Sequence, residues 1–255
     1  MNRTDTLWHE TFRVRSYEVE PNGRASIQSL CRYFEEVASN HARALGFSME
    51  QLAEHNLTWV LNRLRVEIDD FPRWRDTVRV TTWPSGHDGL YARREYLLHD
   101  EDGSERARAT SGWVMIDLAR RRPTRLPAFI QEMHFPRQDR AVDDDFRRLR
   151  PPTGRFDRHR TFHVRYSDLD LNGHVNNVHY VEWAVETLEP AFLASHRMTS
   201  LEVDFRAETY YDARVRAETA PDDSTEVGFW HRLLREPDGA VVAVARTRWL
   251  PLAGG

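Results

Sequence analysis

Between Asp168 and Asn177 the chain reads Asp-Leu-Asp-Leu-Asn-Gly-His-Val-Asn-Asn, which gathers two carboxylates, three carboxamides and an imidazole into ten residues. Asp170, Asn172 and His174 occupy every second position. An imidazole beside carboxylates can take a proton from water, and carboxamides can hold that water or a carbonyl oxygen. Asn172-Gly173 reads as the start of a helix, where unpaired N–H groups carry partial positive charge that would polarise a carbonyl. Glycine there would also let a substrate approach the backbone closely. The same residues have a plainer reading. Asp and Asn before a helix are common caps, and a segment of this kind standing alone favours capping over catalysis.

The elements that must position this segment are written twice in the chain. Thr11-Phe-Arg-Val-Arg15 matches Thr161-Phe-His-Val-Arg165 at an offset of 150, a register that also pairs Asn22-Gly23 with Asn172-Gly173 and Glu36 with Glu186. At an offset of 136, Leu97-Leu98 pairs with Leu233-Leu234, Asp102-Gly103 with Asp238-Gly239, and Trp113 with Trp249. Ala107 and Ala109 pair with Ala243 and Ala245 in the same register. Two ordered matches of this size mark a tandem duplication.

Each copy predicts a short strand (residues 12–17 and 162–166), an Asn-Gly turn, one long helix and then an antiparallel sheet. Leu30, Phe34, Val37, His41 and Leu45 fall at helical spacing, as do Val178, Val181, Val185 and Leu188. Leu64, Val66 and Ile68 alternate as strand residues do, and so do Leu201, Val203 and Phe205. Asp102-Gly103 and Asp238-Gly239 carry hairpin-turn chemistry. The difference between the two offsets makes the first copy 14 residues longer, and Ser48-Met-Glu-Gln51 reads as a capping box opening an extra helix to about His55. Residues 137–160, with Asp143-Asp144-Asp145 and Pro151-Pro152, read as a linker draped over the surface, with room for a helical turn. The expected layout is therefore a unit over 1–136, this linker, and a unit over 161–255.

A strand, a long helix and a curled antiparallel sheet together resemble the hotdog fold. The segment from Asp168 to Tyr180 closely resembles the active-site segment of the acyl-ACP thioesterases of plant plastids and bacteria. The resemblance spans nearly the whole chain. It implies an α+β fold of two tandem hotdogs, each a long helix wrapped by a curled antiparallel β-sheet. The activity it implies is hydrolysis of the thioester of fatty acyl-acyl carrier protein, releasing free fatty acid, and acyl carrier protein is the partner.

Asp170, Asn172 and His174 match the family's Asp-x-Asn-x-His set, and Leu201-Glu-Val-Asp-Phe-Arg-Ala-Glu-Thr209 matches its later strand, placing the family's glutamate at Glu208. Plant members carry a cysteine after that glutamate. Thr209 stands here instead, which argues against a cysteine mechanism and leaves a water mechanism intact. On this resemblance Asn172 holds the carbonyl or the water, His174 and Glu208 orient and deprotonate the water, and Asp170 fixes its neighbours. Gly173, Asn176 and Asn177 border the substrate, although the two asparagines also read as partners of the loop backbone. The first copy has Glu20, Asn22 and Arg24 at the matching positions and Phe71 near that of Glu208. It is implied to hold the acyl chain, with Phe34, Trp59 and Leu61 as tunnel walls. Glu208 has a difficulty of its own. Strict alternation from Leu201, Val203 and Phe205 turns it to the opposite strand face unless a bulge or the domain interface delivers it.

Composition narrows the partners. All 36 basic residues are arginines against 40 acidic ones, a net charge of −4, which gives no global case for nucleic acid. The single cysteine, Cys31, forbids an intramolecular disulfide and any multi-cysteine metal site, fits a reducing cytoplasm, and falls on the first helix's core pattern. With no run of roughly 18 apolar residues and no apolar signal core near Met1, the expectation is a cytoplasmic protein off the membrane. His174 and His179 miss the i, i+4 spacing of a helical metal pair, so neither metal nor cofactor is expected. Arg120-Arg-Arg122 and Arg147-Arg148 read as solvated charge or as contacts for an acidic carrier and its phosphate. A homodimer is left open, because the tandem already supplies paired hotdogs. Hydrolysis of acyl-CoA and non-catalytic acyl binding stand as alternatives. A hydratase is disfavoured, since its Asp-x-Asn-Pro-x-His spacing is absent.

Overall fold

The computed structural model describes residues 7–133, 139–154 and 156–252, so the expected boundary after residue 136 lies outside the described residues. The chain divides into two units, Met1–Phe146 and Arg147–Gly255. In chain order the first contains β1 (Trp8–Arg13), α1 (Ile27–Leu45), α2 (Met49–Ala53), β2 (Leu57–Ile68) and β3 (Thr77–His87). It continues with β4 (Tyr91–Asp100), β5 (Glu105–Asp117), β6 (Arg122–Thr124) and α3 (Ala128–Gln131). The second holds β7 (Arg158–His163), α4 (Asn177–Val185), α5 (Pro190–Ser195), β8 (His196–Phe205), β9 (Arg214–Pro221), β10 (Gly228–Glu236) and β11 (Ala240–Pro251).

The strand order is β1-β3-β4-β5-β2 in the first unit and β7-β9-β10-β11-β8 in the second, every pair within a unit antiparallel. Position for position the two orders are the same. The duplication also reaches backbone detail. Arg75 and Asp212 are non-glycine residues with φ of 77° and 66°, and their N–H groups donate to the carbonyls of Val14 and Val164. Both Asp-Gly turns close hairpins, with Gly103 at φ 86° and Gly239 at φ 67°.

In α1, Leu30, Phe34, Val37, His41 and Leu45 are all buried on the face turned to β1 and β3. Ser26 caps its start by accepting from the Ser29 N–H, and Gly46 at φ 90° ends it. Ser48 and Gln51 form the expected capping box, though α2 stops at Ala53. The second helix departs from expectation. α4 ends at Val185, and Leu188 is buried in the turn beyond it. Pro190 opens α5 and holds Glu189 extended at ψ 140°, so one continuous helix is broken into two.

The stretch expected to drape over the surface is largely exposed but anchored at a few buried positions, with no helical turn among its described residues. Val142 and Asp144 are buried in the first unit, and Leu149 in the second. Arg63 donates to Asp144 Oδ2 from Nε and Nη2 at 3.1 and 2.8 Å, and the Leu149 N–H donates to Asp204. Asp144 and Arg140 thus pair with the buried Arg63 and Glu95, while Asp143, Asp145, Arg147 and Arg148 stay exposed. Strand β7 also begins at Arg158, inside the expected linker. No helix among the described residues is long and apolar enough to cross a membrane.

Candidate active site

Asp170 builds the turn that carries His174. One carboxylate oxygen, Oδ1, accepts from the N–H of Asn172 at 2.8 Å and from the N–H of His174 at 3.1 Å. The Asp170 N–H donates to the His174 carbonyl, and Gly173, at φ 73°, donates to the Asp170 carbonyl. A side chain at that φ would be strained, so glycine is needed here for the turn itself. Helix α4 begins at Asn177, five residues after Asn172, rather than at it. Val175 first bridges to Leu169 in extended form, and Asn176 then caps the helix by accepting from the Val178 N–H at 2.9 Å. This corrects the expected placement of a carbonyl-polarising helix end at Asn172-Gly173. The N–H groups of residues 172, 173 and 174 are all committed within the turn. The uncommitted helical N–H is that of Asn177, the first residue of α4.

Glu208 arrives by a route that alternation could not anticipate. Strand β8 stops at Phe205, and the N–H groups of Arg206 and Ala207 both donate to the Val242 carbonyl. That shared acceptor ends the period-two pattern. The following residues swing beside the turn, where the Val175 N–H donates to the Thr209 carbonyl and His174 pairs with Tyr210 as an isolated bridge. Glu208 Oε2 then lies 3.6 Å from His174 Nε2. The Tyr210 hydroxyl donates to the same oxygen at 2.8 Å, and its ring meets the imidazole edge-on at 5.0 Å. Arg235 donates to the Glu208 carbonyl, holding the backbone.

Asp168 serves the scaffold. Burial pushes its carboxyl up, but hydrogen bonds from the Arg165 side chain and backbone, with His179 nearby, outweigh that and hold it below the ordinary value. Its partner His179 also bonds Glu182 at 2.8 Å, so this imidazole is a structural link. Behind the loop, burial raises the Tyr180 hydroxyl to about 12, against the pull of Arg235.

Models of the acyl-ACP thioesterase N-terminal domain and C-terminal domain match residues 5–133 and 154–251. The chain belongs to the acyl-ACP thioesterase family. A relative named palmitoyl-acyl carrier protein thioesterase, chloroplastic, from Gossypium hirsutum is 34% identical over 96% of this chain. A dodecanoyl-[acyl-carrier-protein] hydrolase, chloroplastic, from Umbellularia californica is 32% identical over 96% of the chain and 68% of its own length. The chain spans 64% of the length of the Gossypium relative. Among solved structures, the 12:0-ACP thioesterase from Umbellularia californica superposes with a TM-score of 0.86 at 28% identity, over 97% of this chain and 98% of that one. An acyl-ACP thioesterase from Bacteroides thetaiotaomicron VPI-5482 gives 0.85 at 25% identity, over 98% and 100%. The tandem hotdog expected from the sequence is the fold of the family and of this chain.

The first unit of this family member keeps the turn and has other groups in it. Glu20, Gly23 and Arg24 repeat the backbone bonds of Asp170, Gly173 and His174. The Ala25 N–H donates to the Pro72 carbonyl as Val175 does to Thr209, which makes Phe71 the counterpart of Glu208 in the repeat. Arg24 is ion-paired to Asp70.

A cavity of ≈ 120 Å³ opens in this unit between α1, β2–β5 and α3. Trp59 lines it, its indole N–H donating to the Phe47 carbonyl at 3.2 Å. Phe34 and Leu61 do not. Both are core residues, Phe34 packing on the ring of Tyr96. Cys31 is buried, and burial pushes its thiol up, away from nucleophilic use. Sequence reasoning missed Tyr210 and Arg235. Only the Tyr that follows Glu208-Thr209 could have signalled the first, and nothing local signals the second.

Proposed function

We propose that this protein hydrolyses fatty acyl thioesters of acyl carrier protein, with the chemistry in the second unit and the acyl chain in the cavity of the first. The observation that carries this reading is the 3.6 Å approach of Glu208 to His174 on the turn organised by Asp170. The printed names of its relatives, palmitoyl-acyl carrier protein thioesterase and dodecanoyl-[acyl-carrier-protein] hydrolase, support the substrate class.

A water held against the Glu208–His174 pair loses a proton to it as its oxygen attacks the thioester carbonyl. Charge on the resulting tetrahedral oxygen is met by the N–H of Asn177 at the start of α4. Collapse breaks the C–S bond, and the departing phosphopantetheine sulfur takes the proton that the pair had accepted. Free fatty acid and the carrier thiol leave, and the pair returns to its starting state. Asp170 acts by holding the His174 backbone, and Tyr210 by holding the Glu208 carboxylate.

The deciding experiment compares purified protein on acyl-ACP and acyl-CoA carrying one acyl chain. Faster turnover of the carrier thioester is expected. Preference for CoA would move the reading to an acyl-CoA thioesterase, and binding without turnover at every chain length would make the protein an acyl-binding hotdog.

A further inference from the structure

We propose that Arg94 makes the first unit's cavity selective for acyl chains that carry an acceptor oxygen, whether hydroxyl, keto or carboxylate. This inference rests on the reading that the cavity holds the acyl chain. Most of its wall is apolar, including Ala38, Ala42, Phe47, Trp59, Leu126 and Ile130. Arg94, on β4, also lines it and is only 7% exposed. Its Nη1 donates to His41 Nδ1 at 3.0 Å and to Thr82 Oγ1 at 3.2 Å. Both acceptors are neutral, since a ring nitrogen that accepts carries no proton. Among the described residues no carboxylate pairs with this guanidinium.

The contrast with its surroundings is sharp. Among the described residues of this unit the other buried guanidinium, Arg63, is neutralised by Asp144. The neighbouring Glu95 turns to the other face of β4, where it accepts from Ser85, Thr110, Arg140 and the Ala141 N–H. Glu35 lines the cavity too but forms no ion pair with Arg94 and is engaged elsewhere. Burial alone drives the Arg94 pKa below the ordinary arginine value. A buried cation with spare N–H donors is costly unless something supplies an acceptor. A guanidinium has five donors and no acceptor, so the group that answers it must offer a free lone pair, which on an acyl chain means an oxygen. A plain alkyl chain offers none.

The test is kcat/KM for wild-type protein on acyl-ACPs of equal length, unsubstituted against a positional series of hydroxy and keto chains and an ω-carboxy chain. At least one oxygenated chain should be preferred by about tenfold, the size of one hydrogen bond to a charged group, and Arg94→Met should erase that ratio. Whichever series responds identifies the oxygen. No preference in the wild type, or a preference that survives in Arg94→Met, would overturn the proposal. Should that variant not fold, a wild-type complex with the favoured acid decides the matter, and an oxygen farther than about 3.5 Å from the guanidinium overturns it. Ala42→Trp, which fills the cavity, separates the two readings. If it shifts the chain-length profile of unsubstituted substrates while Arg94 proves irrelevant, the cavity still holds the chain and only the oxygen selectivity falls.

Discussion

Oε2 of Glu208 stands 3.6 Å from Nε2 of His174, and the two residues reach each other from opposite sides of a backbone bridge. His174 comes from a turn closed by Asp170, and Glu208 from the residues just past the end of β8. Both side chains are partly exposed, at 27% and 44%, so neither carries the core. His174→Ala and Glu208→Gln should therefore keep the fold and lower kcat by about 10²–10⁴, the usual worth of a positioned acid or base. Free fatty acid released from acyl-ACP, read alongside circular dichroism, measures it. Full activity in either variant would remove that residue from the mechanism.

Tyr210→Phe deletes the hydroxyl that donates to Glu208 while leaving the ring against His174. About a tenfold fall in kcat with little change in KM is expected, since the hydroxyl orients a reacting group rather than binding the chain. A rise in KM at constant kcat would assign Tyr210 to substrate binding instead.

Gly173 and Gly23 provide a matched pair. Their φ values are 73° and 76°, and an added Cβ at either meets nothing within 4 Å. Alanine at either position should thus cost only conformational energy, about 1–2 kcal/mol of stability. The two variants should unfold alike in urea yet differ in turnover. Gly173→Ala disturbs the turn that holds His174, whereas Gly23→Ala disturbs a turn that carries Arg24.

His231 predicts a pH dependence of stability. It is fully buried between Thr219 and Thr247, and burial pushes its pKa from 6.5 down to about 3. Below pH 6.5 the unfolded chain takes up a proton that the folded chain refuses. Stability contributed by this site is complete above 6.5 and drains away as pH falls toward about 3. The steepest slope for one proton is about 1.4 kcal/mol per pH unit. His231→Gln should flatten the fall in urea midpoint between about pH 7 and pH 5. A wild-type and variant pair with parallel profiles would show that His231 titrates normally.

Much of this was legible from local pattern. The two registers that pair Thr11 with Thr161 and Trp113 with Trp249 foretold two units, and the strand orders repeat one another. Helical spacing from Leu30 to Leu45 marked the buried face of α1, and Ser48 with Gln51 marked the start of α2. The misses share a cause. Pro190 breaks the second helix inside a continuing apolar pattern, and Asp144 turns a charge-rich linker inward because Arg63 waits for it.

The sequence by itself determined which turn carries an imidazole and that its counterpart at Arg24 does not, because side-chain identity and repeat register are properties of the chain. Only the tertiary structure decided how Glu208 meets that imidazole. The meeting depends on Arg206 and Ala207 sharing the Val242 carbonyl, a bond to a strand far along the chain that stops the alternation of β8. Local periodicity carries no record of where a distant carbonyl will stand. For the same reason it could place Trp59 among the apolar residues of the first unit but could not say that Arg94 shares its cavity.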